Sequence, residues 1–252
     1  MGGRVLKNLQ TGFQCINKRE IFLAGVSSVV FMGDIGCTYF PEKSQRILAK
    51  ILKIETDLFV VLGDLSFLGE VAEIENTIAF CNQRVNVPLY ALCGNHDMKG
   101  YSQVLGLKNY ALVLDRLVIL ALDNSNGTFQ RKSLSFADEI LSKFTDKRFV
   151  VTFHVPPPSN LKAKGMEYEH WQQLTSISDK HKERIDCILT GHLHAFQEYN
   201  LDGYRIFITG GGGAPLYNLE DDPLKLHHAI RVSGFEEASL QFEVIPVESC
   251  EE

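Results

Sequence analysis

The chain has 252 residues, is 45% hydrophobic and 22% charged, and carries a formal net charge of -6. That composition fits a globular chain of one large or two small domains. With no block of Lys or Arg, it argues against long nucleic acid as a partner. The six cysteines, at 15, 37, 81, 93, 187 and 250, form no C-x-x-C pair and read as reduced thiols rather than a disulfide framework.

In chain order, Val5, Leu6, Leu9, Phe13 and Ile16 can share one helical face, so residues 1–26 read as an N-terminal extension, helical and packed on the body. The apolar run "IFLAGVSSVV" lies too deep for a signal peptide and is too short to span a membrane. Leu6 stands where a myristoylation motif needs Ser or Thr. The expectation is a cytoplasmic protein with no membrane contact. Residues 27–252 read as a single domain.

Short apolar runs then recur, each ending in Gly, Asp or His: "SSVVFMGD", "DLFVVLGD", "VPLYALCGNHD", "RFVVTFH" and "DCILTGH". They read as buried strands whose polar ends project from one edge. Between several of them lie amphipathic segments. "PEKSQRILAKILK" puts Ile47, Leu48, Ile51 and Leu52 on one face, and "EVAEIENTIAFCNQ" and "SLSFADEILSKF" are similar. "NYALVLD" and "RLVILALD" read as a hairpin, and Asp202-Gly203 is a second hairpin signal. After residue 194, strand follows strand. The pattern implies an α/β layered fold of two sheets packed face to face and flanked by helices.

The polar strand ends are, in order, Asp34, Asp64, Asn95 with His96, His154, then His192 and His194. All offer oxygen or nitrogen to a metal. In α/β sheets, residues just beyond strand carboxyl ends meet in one crevice. Singly, each has a plainer explanation. An aspartate after a strand caps a helix or shapes a turn, and a lone histidine is more often a hydrogen-bonded core or surface residue. Five such loops in order are hard to reach by accident.

The ordered set Asp34-Ile35-Gly36, Gly63-Asp64, Gly94-Asn95-His96-Asp97, His154 and Gly191-His192-Leu193-His194 resembles the calcineurin-like metallophosphoesterase superfamily, over about residues 27 to 214. The resemblance implies a four-layer αββα sandwich of two mixed β-sheets, and metal-dependent hydrolysis of a phosphoester. It implies two divalent or mixed-valence ions, with Mn, Fe or Zn suited to a carboxylate, amide and imidazole set. Asp64 would bridge both. Asn95, His154 and His192 would complete one site, M2, and Asp34 and His194 the other, M1. His96 would act as a catalytic group near the leaving-group or phosphoryl oxygen, with Asp97 orienting it or its loop. The partner is then a small phosphorylated substrate: a phosphomonoester, phosphodiester or nucleotide. The sequence leaves the oligomeric state open.

Gly36 departs from the D-x-H form of the first motif. Within the superfamily, purple acid phosphatases also carry G-D-x-G there, and compensate with a ligand tyrosine in G-D-x-x-Y. Here that position is Phe67. M1 thus keeps three protein ligands, Asp34, Asp64 and His194. Water, Cys37 or Tyr39 are candidates for an additional M1 ligand, or M1 fills only with substrate. Two rival readings follow: a catalytically weak or inactive metal- or phosphate-binding module, and a protein scaffold acting through the N-terminal extension. Among other features, "VPPPSN" reads as a stiff loop, "GGGGAP" as close backbone packing, and Trp171 as part of a helix that covers the cleft. His170, His181, His227 and His228 read as surface or sheet residues.

Overall fold

A computed structural model describes residues 10–36, 41–161, 163–217, 219, 222–237 and 239–247. The first half forms β1 (Gly12–Phe13), β2 (Glu20–Phe22), β3 (Ser28–Met32), α1 (Pro41–Ile51), β4 (Leu58–Val61), α2 (Val71–Asn82), β5 (Pro88–Ala91) and α3 (Tyr101–Val104). Next come β6 (Tyr110–Val113), β7 (Leu117–Ala121), α4 (Arg131–Lys143), β8 (Arg148–Thr152) and α5 (Tyr168–Ser178). A 3₁₀ turn, Asp179–Arg184, leads into β9 (Ile185–Thr190), β10 (Phe196–Leu201), β11 (Tyr204–Thr209), β12 (His227–Ser233) and β13 (Gln241–Val247).

These strands make two mixed sheets, ordered β1-β5-β4-β3-β12-β13 and β10-β11-β9-β8-β7-β6-β2. Side chains alternate across a strand, and here the alternation separates three apolar layers. Val29 and Phe31 of β3 meet Ile119 of β7 and Val150 of β8 between the sheets. Val30 and Met32 face the other way, onto Ile47, Leu48 and Ile51 of α1 and Ile74 of α2. Val118 and Leu120 of β7 pack on Phe136 and Ile140 of α4 and Trp171 and Leu174 of α5. A strand apolar on both faces must be covered on both, which forces the order helix, sheet, sheet, helix. The fold is the four-layer α/β sandwich.

Residues 10–26 correct one expectation. They do not form a helix. β1 pairs parallel with β5 in one sheet and β2 parallel with β6 in the other. Between them Ile16 is fully buried and bonds to the 105–107 turn through Leu105 O and Leu107 N. The segment straps one edge of the sandwich, and Phe13 and Ile16 supply core residues to two layers. Val5, Leu6 and Leu9 lie outside the described residues. No described helix is long and apolar enough to cross a membrane.

Both hairpins form: β6 is antiparallel to β7, and β10 to β11. Asp202 (φ 51°) and Gly203 (φ 79°) take the two left-handed positions of a primed turn. This turn lies at the edge away from His192, because β11 runs parallel to β9 and ends beside it. Trp171 is in a helix but does not cover the cleft. Its buried indole N–H donates to Asp202 Oδ2 at 2.8 Å, beside the Tyr168 hydroxyl at 2.9 Å. Asp202→Ala leaves the indole donor unpaired and puts a Cβ-bearing residue without a local acceptor at positive φ. Urea unfolding should show a loss of about 2 kcal/mol.

Candidate metal centre

The parallel strands β3, β4, β5, β8 and β9 end at one edge, and the candidate residues lie in the loops that follow. Asp34 (φ 60°), Asp64 (φ 56°) and His192 (φ 69°) adopt left-handed backbone conformations. That is uncommon for a residue with a Cβ and costs of order 1 kcal/mol or more each. It turns each side chain back over its strand end. The loops then approach very closely. A Cβ at Gly94 would stand 2.0 Å from Asp64 Oδ1, and one at Gly63 would stand 2.5 Å from His154 Nδ1.

Two sets of ligand atoms result. Asp64, His154 and His192 form one, and Asp34, Asp64 and His194 the other; in each, the atoms lie within 4.8 Å of one another. Asp64 belongs to both. Asn95 joins the first set: its Oδ1 is 2.9 Å from His154 Nε2 and 2.7 Å from His192 Nδ1. His154 Nε2 is 3.4 Å from Asp64 Oδ2, and His194 Nε2 is 3.5 Å from Asp34 Oδ1.

The outer contacts suit metal-binding imidazoles. His154 Nδ1–H donates to Leu62 O at 2.7 Å, and His194 Nδ1–H to Pro215 O at 2.8 Å. Each fixes the tautomer that leaves Nε2 facing the carboxylates. The donor set of carboxylate, amide oxygen and imidazole therefore fits a pair of divalent ions such as Mn, Fe or Zn. Cys37 and Tyr39 lie outside the described residues.

The electrostatics point the same way. Burial works to raise the Asp64 carboxyl, but the neighbouring His154 and His96 hold it well below the usual range. Burial works against a charged His154, yet Asp64 lifts it to about 9. Burial and the charge of His154 push His192 down to about 4. Buried Asp34 is raised by desolvation, against the opposing pull of His194. At neutral pH His154 thus carries a proton on the nitrogen that faces Asn95 and Asp64. A metal bound there must displace it, so affinity falls as pH drops below about 9. Titration calorimetry at pH 7 in buffers of different ionisation enthalpy should show release of at least about one proton with Mn²⁺. Proton-neutral binding would contradict this.

The His96 ring belongs to neither ligand set, although its backbone N–H donates to Asp64 Oδ1 at 3.0 Å. Its Nδ1–H donates to Phe67 O at 2.7 Å, and its ring stacks on the Phe67 ring at 5.3 Å. Asp97 is bound into the loops on either side of His96. Its fully buried carboxylate accepts from the N–H groups of Leu65, Ser66 and Gly94 and from the Ser66 hydroxyl. With every lone pair directed at the loops after β4 and β5, it ties those loops together. Burial and the Asp64 charge raise it to about 6 against those hydrogen bonds.

One residue escaped the sequence reading. Asn124, fully buried after β7, accepts from His154 N–H and Val155 N–H at 3.0 Å each and donates to Val155 O at 2.7 Å. It clamps the loop that carries His154. The one available cue is its place in "LALDNSN", just past an apolar strand. The glycine stretch packs as expected: Gly212 N–H donates to Gly33 O and Ala214 N–H to Asp34 O, both at 2.8 Å. His227 and His228 are sheet residues, buried in β12.

Gly36 has a steric explanation. A Cβ there would fall 1.3 Å from Leu65 O, while its N–H donates to Asp64 O at 2.9 Å. No side chain fits this backbone. Gly36→His should destabilise the protein by about 3 kcal/mol or more without adding bound metal, as measured by chemical unfolding and elemental analysis. Extra metal in a stable variant would contradict the steric account.

This fold and site define a metal-dependent phosphoesterase. The calcineurin-like phosphoesterase family model matches residues 27–196, and the chain belongs to that family. It is 24% identical over 171 residues to a probable cyclic nucleotide phosphodiesterase of Ruthia magnifica subsp. Calyptogena magnifica, covering 64% of this chain and 72% of that protein. Its fold is similar to a purple acid phosphatase from yellow lupin (Lupinus luteus) seeds, with a TM-score of 0.73 and 16% identity. That match covers 89% of this chain and 53% of the lupin chain, so this protein spans about half the lupin enzyme's length. A dimetal phosphatase from Danio rerio matches with a TM-score of 0.67 and 12% identity, over 88% and 97% of the two chains.

Proposed function

We propose that the protein is a dinuclear metal-dependent hydrolase of a small phosphomonoester, phosphodiester or nucleotide. The observation that carries this reading is the shared place of Asp64 in both ligand sets. Asn95, His154 and His192 hold one ion with Asp64, and Asp34 and His194 hold the other. When bound, the ions supply Lewis acidity and lower the pKa of an attacking water, so that no covalent enzyme intermediate is needed.

The protein's own groups do the positioning. Leu62 O and Pro215 O keep two imidazoles in the ligating tautomer. With Nδ1–H committed to Phe67 O, His96 in its imidazolium form carries its second proton on Nε2, the nitrogen able to give it to a leaving oxygen. Asp97 acts through the loops that carry Asp64 and His96. Among the described residues the second ligand set has three protein groups against four in the first, so its ion is the more weakly held. A catalytically weak or inactive protein with one tightly bound ion is the rival reading, and Gly36 with Phe67 is what favours it.

Hydrolysis of p-nitrophenyl phosphate and its bis-ester, with and without added Mn²⁺, separates the two. Activity should depend on added metal, and Asp64→Asn should cost at least about 100-fold in kcat. No turnover with any divalent metal across a broad phosphoester panel would overturn the enzyme reading for these substrates.

A further inference from the structure

A cavity of about 1100 Å³ opens at the edge of the sandwich where the ligand loops lie. One wall is the strap at Cys15–Arg19, which lies outside the family match at 27–196. The others are the 98–109 segment and the start of α4. Strand directions place it at the ligand-bearing edge: β6 begins opposite the end of β7, and α4 starts after that end. Two of its walls are joined through the chain to loops of the metal centre. Met98 lies two residues beyond His96. Asn109 Oδ1 accepts from Asp123 N–H at 2.8 Å, next to the Asn124 that clamps His154.

Its chemistry is mixed. Met98 and Leu107 are 46% and 39% exposed, and give it an apolar floor open to solvent. Its charged lining is Arg19, Lys108, Lys132 and Glu139. Glu139 pairs with Arg19 at 2.7 Å. Among the described residues Lys132 forms no ion pair, and Lys108 bonds the Cys93 thiol, which the Asp97 and Asp123 carboxylates also influence. In a chain of net charge -6, a cavity lined by three cations and one acid calls for an anion.

We propose that this cavity is the leaving-group subsite, and that it selects phosphoesters whose alcohol portion is apolar near the phosphate and carries a second negative charge further out. The selection rests on the phosphoesterase reading above. The test uses two substrates that differ in charge alone, 4-(carboxymethyl)phenyl phosphate and its neutral carboxamide isostere. The charged ester should have the higher kcat/KM, by about fivefold. The preference should fall towards one in Lys132→Ala and at high salt, as screening of a partly exposed charge requires. Lys53→Ala, on the opposite edge, changes net charge equally and should leave it intact. Equal turnover of both esters, or a preference unmoved by Lys132→Ala, overturns the proposal.

If neither ester is turned over, the phosphoesterase reading fails on these substrates and the cavity is judged by binding alone. The chain has four methionines, so methyl-¹³C labelling isolates the Met98 signal, assigned with Met98→Leu. 4-Hydroxyphenylacetate should shift it more strongly than the corresponding amide. No shift, or equal shifts from both, refutes the anion subsite.

Discussion

The structure depends on one constraint: two carboxylates and three imidazoles must meet at a strand edge without leaving charge unpaired. Buried like charges raise one another's energy, and Asp34 and Asp64 are both buried here. The loops manage this by placing Asp34, Asp64 and His192 in left-handed conformations and by using glycine where chains touch. His154 and His194 supply opposing charge. The same arrangement that relieves the repulsion aims lone pairs at two common points. A site strained and charged in this way is costly to fold unless a cation or proton shares it.

Much of this was legible in the sequence, because each ligand follows a strand and strands show as apolar runs. The runs ending at Asp34, Asp64, Asn95, His154 and His192 are all strands, and their parallel order brings their ends together. The N-terminal strap was not legible. Phe13 and Ile16 have helical spacing, but sheet edges at β5 and β6 claim their neighbours. Two-residue and three-residue strands carry too little pattern to compete with a helical reading. Asn124 was opaque for another reason. A polar residue in a loop does not announce whether it faces substrate or backbone, and Asn124 faces the N–H groups of His154 and Val155.

Gly36 and Phe67 turn out to be linked to the geometry in different ways. Gly36 is required by the approach of Leu65 O, whatever the metal. Phe67 lies against the His96 ring and lends its carbonyl to that same histidine. The position that provides a ligand tyrosine in purple acid phosphatases here holds the His96 ring by stacking and a hydrogen bond. Among the described residues the second ligand set therefore has three protein groups, Asp34, Asp64 and His194.

The most direct test is the location of metal. Crystals soaked in Mn²⁺ should give two anomalous peaks flanking the Asp64 carboxylate, the weaker one beside Asp34 and His194. Peaks elsewhere, or none beside Asp64, would contradict a centre built around that shared ligand.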